Sequence, residues 1–318
     1  MSDAIRPDSQ EHPSSSEGPA EGRVLDPFGA WQRFWHGTVD PAPLAAFRQA
    51  FAWTMLIYFL AWARNADEWL TAVGYHPPLS LDAVNGPQLP LLPIAALPWI
   101  GLGFFACLLA YIFGFARKLV IWPLLAAAIY VLQVDPISSF TINRLFVIGL
   151  FVLAIAPEPE PKADANADAN ADASGNDMRQ RAWPLRMLQL TLLTQYLASG
   201  LCKVGNGDWW GGEDVLWMQV QGIYMTDAAA WMVRVFPHWL WGVLEALALW
   251  FELLAPLLFG FRRLLPVAFC LGLGLHIVVA ITMDQLIYFS LQMCCFYLLF
   301  IPPAWARKLA PASKRSAG

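Results

Sequence analysis

The chain has 318 residues, of which 58% are hydrophobic and only 14% are charged, and its net charge at pH 7 is −4. Soluble domains usually carry about 25% charged residues, so this composition excludes an ordinary soluble protein and predicts an integral membrane protein. The small net charge gives no indication of a nucleic-acid partner. The five cysteines lie in or beside apolar runs, without CxxC or zinc-type spacing, so neither a disulfide framework nor a metal site is predicted.

The N-terminal region is predicted to contain two different parts. Residues 1–26 are polar and rich in Ser, Pro and Glu, which predicts a disordered tail rather than a signal peptide. Residues 27–40 place aromatic side chains, among them Phe28, Trp31 and Phe34, at about helical period. This spacing predicts an amphipathic helix at the membrane interface.

Eight apolar segments follow, and each is predicted to be a transmembrane helix. A bilayer core about 30 Å thick needs about 20 helical residues, so the short third and fourth segments need polar flanks to complete them. The predicted fold class is therefore all-α, a polytopic membrane bundle of about eight helices. The segments are approximately 43–63, 98–115, 119–133, 143–156, 183–204, 240–261, 264–283 and 285–301.

A low-complexity segment separates the fourth and fifth spans. Residues 157–182 alternate proline with acids and then repeat Ala-Asp-Ala-Asn, which predicts a cytoplasmic linker without regular structure. We expect this linker to lie inside one transmembrane domain of residues 27–305. Residues 306–318 are predicted to be a basic C-terminal tail.

The basic residues predict the orientation of the bundle. If the N-terminus is cytoplasmic, the turns at Arg117-Lys118 and Arg262-Arg263, the end of the linker and the C-terminal tail all lie inside. The opposite loops carry acids and few bases. Both termini are thus predicted to be cytoplasmic, with the end of the fifth span facing outward. We expect the membrane to be a bacterial inner membrane.

Ionisable residues inside spans usually face a bundle interior or a water-filled cavity. Lys203, Glu245 and His276 lie at similar depth toward the outer side of spans five, six and seven. They predict one outward pocket in which Lys203 is a base, Glu245 orients it, and His276 carries protons or holds a ligand. An apolar cavity with a few polar groups suits a quinone-like or lipid-like molecule.

Each of these residues has an alternative structural role. Lys203 could be an interfacial lysine that reaches water beside an aromatic belt. Glu245 and Glu252, two helical turns apart on one face, could be buried carboxylates paired with Arg48 or another base. His276 could be a hydrogen-bonded packing residue. A polar stripe on span five could likewise be an ordinary interhelical face, and it comprises Arg186, Gln189, Leu193, Tyr196, Gly200 and Lys203.

The most specific pattern begins at Tyr196. A Ser-Gly pair and a lysine follow it at helical spacing, and an Asp-Trp-Trp-Gly-Gly run comes shortly after. This arrangement resembles the signature Tyr-x-x-Ala-Gly-x-x-Lys and Asp-Trp-x-x-Gly of the vitamin K-dependent gamma-carboxylase-like family, also called the horizontally transferred transmembrane (HTTM) domain. The resemblance covers about residues 27–305. The matching residues are Arg48, Tyr196, Gly200, Lys203, Asp208, Trp209, Gly212, Glu252, Pro256, Arg262, Arg263 and His276.

The resemblance implies a reaction. In the carboxylase, the lysine that matches Lys203 is regarded as the base that deprotonates reduced vitamin K, in a site facing the lumen. It thus implies a reduced quinone as cofactor and an exported peptide as substrate. It also implies roles around that site for the other matched residues and their neighbours, and these are Arg48, Tyr196, Asp208, Trp209, Trp210 and Glu252.

One departure leaves the activity open. The carboxylase has a histidine just before the fourth span, where this chain reads Thr-Ile-Asn-Arg at residues 141–144. The alternative function is a non-catalytic membrane accessory protein for lipid or secreted-peptide binding, maturation or export. A solute transporter is a weaker possibility, because the sequence has no clear inverted repeat and no helix broken in mid-span.

Overall fold

A computed structural model describes residues 26–76, 88–135, 140–161, 178–207, 209 and 214–309. Almost all regular structure in these residues is helical. In chain order the helices are α1 (Pro27–His36), α2 (Ala42–Trp62), α3 (Ala66–Leu70), α4 (Leu97–Phe113), α5 (Arg117–Val134), α6 (Thr141–Ile155), α7 (Trp183–Asn206), α8 (Val215–Gln219), α9 (Asp227–Val235), α10 (His238–Gly260), α11 (Leu265–Thr282), α12 (Leu286–Tyr297) and α13 (Pro303–Leu309).

The bundle belongs to an integral membrane protein. Five helical stretches are long and apolar enough to cross a bilayer, and they are Ala42–Leu70, Ile94–Phe113, Arg117–Val134, His238–Gly260 and Leu265–Thr282. Helices α6 and α12 are apolar but shorter. Helix α7 has 24 residues but a more polar sequence, and it is outside this set. A helix therefore lies at each of the eight predicted segments.

Aromatic packing around α2 forms the centre of the bundle. Phe47 and Phe51 of α2 are fully buried, with ring centroids 5.0 Å apart. Phe51 also contacts Phe146 of α6, and Phe47 contacts Phe296 of α12, at centroid distances of 5.3 and 5.0 Å. Helix α2 thus buries most of its surface against its neighbours and exposes Trp53, Ile57 and Leu60 on the remaining face. Helix α4 is less buried and exposes large side chains such as Trp99, as expected of a face toward hydrocarbon.

One end of the bundle, which we call the sheet end, carries three short strands. They are β1 (Thr38–Val39), β2 (Glu160–Pro161) and β3 (Met178–Arg181), and β3 pairs antiparallel with both others. The predicted linker therefore has regular structure at its two flanks, because strand pairing satisfies their backbone groups. Its middle, residues 162–177, lies outside the described residues, as do residues 1–25 of the predicted tail.

The predicted basic tail also begins inside the fold. Helix α13 extends to Leu309, and Arg307 forms an ion pair with Asp40 beside β1. Ala306 is buried against Ala42 and Ala46 at the start of α2. Packing and charge pairing thus fix the first residues of this segment, while residues 310–318 lie outside the described part.

The opposite end, which we call the cap end, is covered by α8 and α9. Val220, Ala229 and Trp241 form a small buried core between these two helices and the start of α10. Residues 205–237 are polar and aromatic, and their sequence predicts one surface helix over residues 214–223. In the structure α8 is shorter than this prediction, and α9 is an additional element. Thr226 is the N-cap residue of α9, and its hydroxyl accepts a hydrogen bond of 3.1 Å from the Ala229 N–H.

Candidate functional site

A cavity of about 490 Å³ lies among α7, α10, α11 and α12, beneath α8. We call it the Lys203 cavity. Its wall is mostly apolar and aromatic. The residues with ionisable side chains that we consider below are Tyr196, Lys203, Glu252 and His276, and the lining also includes the polar residues Gln195, Ser199, Gln219 and Thr282. Such a volume, with an apolar wall and a few polar groups, is typical of small-molecule sites.

Lys203 is held inside this cavity by a charge pair. Its Nζ lies 2.6 Å from Glu252 Oε1 and 4.2 Å from the centre of the Trp209 ring. The two charged side chains are 20% and 9% exposed. Helix α7 ends one turn later, where Gly207 takes a left-handed conformation with φ of 81°. The carboxylate and the indole face together stabilise the ammonium where water is scarce.

Glu245, the predicted partner of Lys203, lies elsewhere. It is 3% exposed, and its Oε2 accepts a hydrogen bond of 3.1 Å from the Leu216 N–H in the first turn of α8. It is not among the described residues that line the cavity. The physical reason is that the first turns of α10 extend past the end of α7 to pack against the cap helices, which places Glu252 beside Lys203.

His276 belongs to a buried hydrogen-bonded chain. Its Nε2 lies 2.7 Å from the Tyr196 hydroxyl, which is 2.5 Å from the Tyr297 hydroxyl. The absence of a side chain at Gly272 makes room for this chain, since a Cβ there would lie 2.1 Å from the Tyr297 oxygen. Sequence patterns do not indicate Tyr297, because it stands in the apolar run of α12 without a spacing signal.

Two buried polar atoms of the cavity residues have no hydrogen-bond partner in the described part of the chain. They are Glu252 Oε2 and His276 Nδ1. Buried polar groups are almost always hydrogen-bonded, and leaving one unsatisfied costs about 1–3 kcal/mol. A molecule that donates a hydrogen bond to the carboxylate and bonds with the imidazole would remove this cost.

The remaining predicted site residues separate into three groups. Tyr196 and Trp209 line the Lys203 cavity. Arg48 lies in a different crevice, with Arg117 and Lys118, so the prediction that it shares the pocket of Lys203 is wrong. Asp208 and Trp210 lie outside the described residues.

Comparisons with known proteins yield no relative, because no family model, no curated protein and no solved structure matches the chain. The fold and the cavity define the class: a helical integral membrane protein with a largely apolar cavity that encloses a lysine–glutamate pair.

Proposed function

We propose that the Lys203 cavity binds a small, mostly apolar molecule that carries at least one hydroxyl group. The observation that carries the proposal is the Lys203–Glu252 pair, set in an apolar wall with Glu252 Oε2 still able to accept a hydrogen bond. A purely apolar ligand would leave that oxygen unsatisfied, and a strongly polar one would not match the wall. A reduced quinone of the vitamin K type has both required features.

We further propose that the bound hydroxyl loses its proton in this site. The O–H bond breaks, the proton moves to the Glu252 carboxylate, and the ligand becomes an oxyanion beside the Lys203 ammonium. His276 and the two tyrosines, Tyr196 and Tyr297, form a hydrogen-bonded chain along which a second proton could move. We base this deprotonation step on the resemblance to the gamma-carboxylase-like family. On the same basis we propose an exported peptide as the final substrate.

The orientation is part of the same proposal. We place eight transmembrane passes in the chain, with α7 as the fifth, both termini in the cytoplasm and the cap end outside. The bases at Arg117, Lys118, Arg262 and Arg263 support a cytoplasmic sheet end. A bacterial inner membrane would then present the cavity to the periplasm, where exported peptides pass.

The test uses menadiol, the reduced 2-methyl-1,4-naphthoquinone, as the probe. Anaerobic calorimetry on the purified chain in detergent should show saturable binding to the wild type. Lys203→Ala should weaken that binding by about tenfold or more, because it leaves the Glu252 carboxylate, which accepts the hydrogen bond of the ligand, without the counter-charge that holds it in place. Lys308→Ala is the matched control, because Lys308 is an exposed lysine on α13 at the sheet end.

Oxygen uptake after air is admitted separates binding from chemistry. If the protein is an enzyme, we expect the wild type and Lys308→Ala to accelerate menadiol oxidation over the rate without protein. Lys203→Ala should lose that acceleration. Equal binding and equal oxidation by all three proteins would refute both steps. Binding without acceleration would leave a ligand-binding protein and refute the deprotonation step.

A second candidate function is favoured by the surface of the cap. Ile223 is 91% exposed and Trp239 is 68% exposed at this end. Exposed apolar side chains of this kind are suited to docking an apolar segment of an exported peptide. An accessory protein of this kind predicts that Ile223→Asp disrupts peptide maturation, measured by mass spectrometry of secreted peptides. Lys203→Ala should then behave like wild type.

A further inference from the structure

A second polar site lies at the sheet end, far along the bundle from the cap. It is a shallow crevice of about 10 Å³ among α2, α4, α5 and the end of α6, and we call it the Arg48 crevice. A ligand larger than a water molecule would lie across the mouth of the crevice. Its described lining consists of three basic residues, one acidic residue and three apolar or aromatic residues. The basic residues are Arg48, Arg117 and Lys118, the acidic residue is Glu158, and the others are Tyr111, Ile121 and Leu153.

Two of the three cations are fixed by backbone carbonyls. The Arg117 Nε donates to the Tyr111 carbonyl at 3.1 Å, at the C-terminal end of α4. The Lys118 ammonium donates to the Ala156 carbonyl, and it lies 3.4 Å from the Glu158 carboxylate. These bonds hold the two side chains in place, and Glu158 is the one carboxylate in the described lining that compensates their charge.

Arg48 is the third cation, and no hydrogen bond or ion pair to it occurs within the part of the chain that the structure describes. It lies six residues into α2, about 9 Å from the start of that helix. An arginine can donate five hydrogen bonds and cannot shed its charge. Three cations facing one carboxylate therefore leave an excess of about two positive charges in the crevice.

We propose that the Arg48 crevice binds the phosphate group of an anionic phospholipid. A phosphate supplies the missing negative charge and accepts the paired N–H groups of a guanidinium. Its source is a lipid rather than free phosphate because exposed apolar side chains adjoin the basic residues along the chain. Phe115 and Leu119, which flank Arg117 and Lys118 in the sequence, are 69% and 73% exposed and would lie against acyl chains. Basic sites between transmembrane helices bind acidic head groups in this way.

This site is independent of the ligand of the Lys203 cavity. None of the residues that line the crevice lines the cavity, and the two lie toward opposite ends of the bundle. Loss of lipid binding at Arg48 would leave the proposed function untouched, and loss of menadiol binding at Lys203 would leave the lipid site untouched.

Native mass spectrometry of the full chain in detergent measures the bound lipid directly. Wild type should retain one phosphatidylglycerol molecule at concentrations where phosphatidylcholine is lost. Arg48→Gln should lower phosphatidylglycerol affinity by about tenfold, and Arg48→Lys should lower it less. Arg262→Gln is the matched control, since it removes the same charge from an exposed loop at the sheet end, outside the crevice.

The outcomes decide the proposal. It is overturned if Arg48→Gln retains phosphatidylglycerol as well as wild type does, or if phosphatidylcholine binds equally. Displacement of the lipid by millimolar inorganic phosphate would assign the site to a soluble anion and also overturn the lipid as its source. If Arg48→Gln cannot be purified, Lys118→Gln provides the same comparison from the half-exposed side of the crevice.

Discussion

The Lys203–Glu252 pair is neutral as a unit, which makes two charged groups tolerable inside an apolar wall. Removing a charge from water is costly, and the attraction between partners at 2.6 Å offsets that cost only while both are present. Removing one partner should therefore destabilise the protein more than removing both.

Glu252→Gln tests this dependence. The substitution preserves side-chain size but leaves the Lys203 ammonium without its counter-charge, so we expect a loss of about 1–3 kcal/mol in unfolding free energy. Thermal unfolding of the purified protein in detergent measures the effect. The double variant Lys203→Met/Glu252→Gln removes both charges and should recover most of the loss. A single variant as stable as wild type would show that the pair contributes nothing.

The sequence predicted the participants of this site better than their pairing. The helical spacing correctly placed Tyr196, Gly200 and Lys203 on one face of α7, since Tyr196 and Gly200 are buried and Lys203 contacts Glu252. The choice of Glu245 was wrong because periodicity gives the face of a helix but not its axial offset from a neighbour. Glu252 lies about four helical turns after His238, the first residue of α10. How far the start of α10 extends beyond the end of α7 depends on its contacts with the cap helices, which residue spacing does not encode.

At the scale of elements, small residues decide how closely the helices approach. Gly149 of α6 faces the Phe51 ring of α2, and a Cβ there would lie 2.4 Å from that ring. Gly272 of α11 has the same function toward α12, where the nearest atom is the Tyr297 hydroxyl. Close contact between transmembrane helices generally relies on such positions.

Gly272→Ala should separate α11 from α12 and break the contact between the Tyr196 and Tyr297 hydroxyls. The added methyl group would lie 2.1 Å from the Tyr297 oxygen, so we expect a loss of about 1–3 kcal/mol in stability, measured by thermal unfolding. Gly274→Ala is the matched control on the same helix, because nothing lies within 4 Å of its Cβ position. Equal behaviour of the two variants would contradict the packing argument.

The elements themselves were predictable to different degrees. The long helices coincide with the apolar segments because hydropathy and length are local properties of a sequence. The strands were not predicted, since β3 pairs with β1 about 140 residues earlier and neither strand has an alternating pattern. Helix α9 had a local signal in its Thr226 N-cap, which the segment-wide prediction of one surface helix overlooked.

At the scale of the whole molecule, the two ends of the bundle differ in chemistry. The sheet end carries the Arg48 crevice, the Arg307–Asp40 pair and the turn at Arg262 and Arg263. The cap end carries α8 and α9 above the Lys203 cavity. Positive charge near short loops favours the cytoplasmic side, so this asymmetry predicts one orientation of the whole bundle.

Cysteine labelling in spheroplasts tests that orientation. Arg263→Cys and Asp227→Cys place new thiols at exposed positions of the sheet end and the cap end, respectively. A membrane-impermeant maleimide should label Asp227→Cys in intact spheroplasts and Arg263→Cys only after the membrane is permeabilised, each measured as the increase over the parent protein. The parent is needed because Cys202 and Cys270 are exposed.

The reversed pattern would place the Lys203 cavity toward the cytoplasm and would contradict any role for it on exported peptides. Labelling of both positions in intact spheroplasts would mean that the two ends share one side, which eight antiparallel passes do not permit. The expected result constrains function as well as topology. A ligand that enters through the cap end must come from the outer leaflet or the outer compartment, whereas the phosphate of the Arg48 crevice comes from the cytoplasmic leaflet, where anionic lipids attract basic residues.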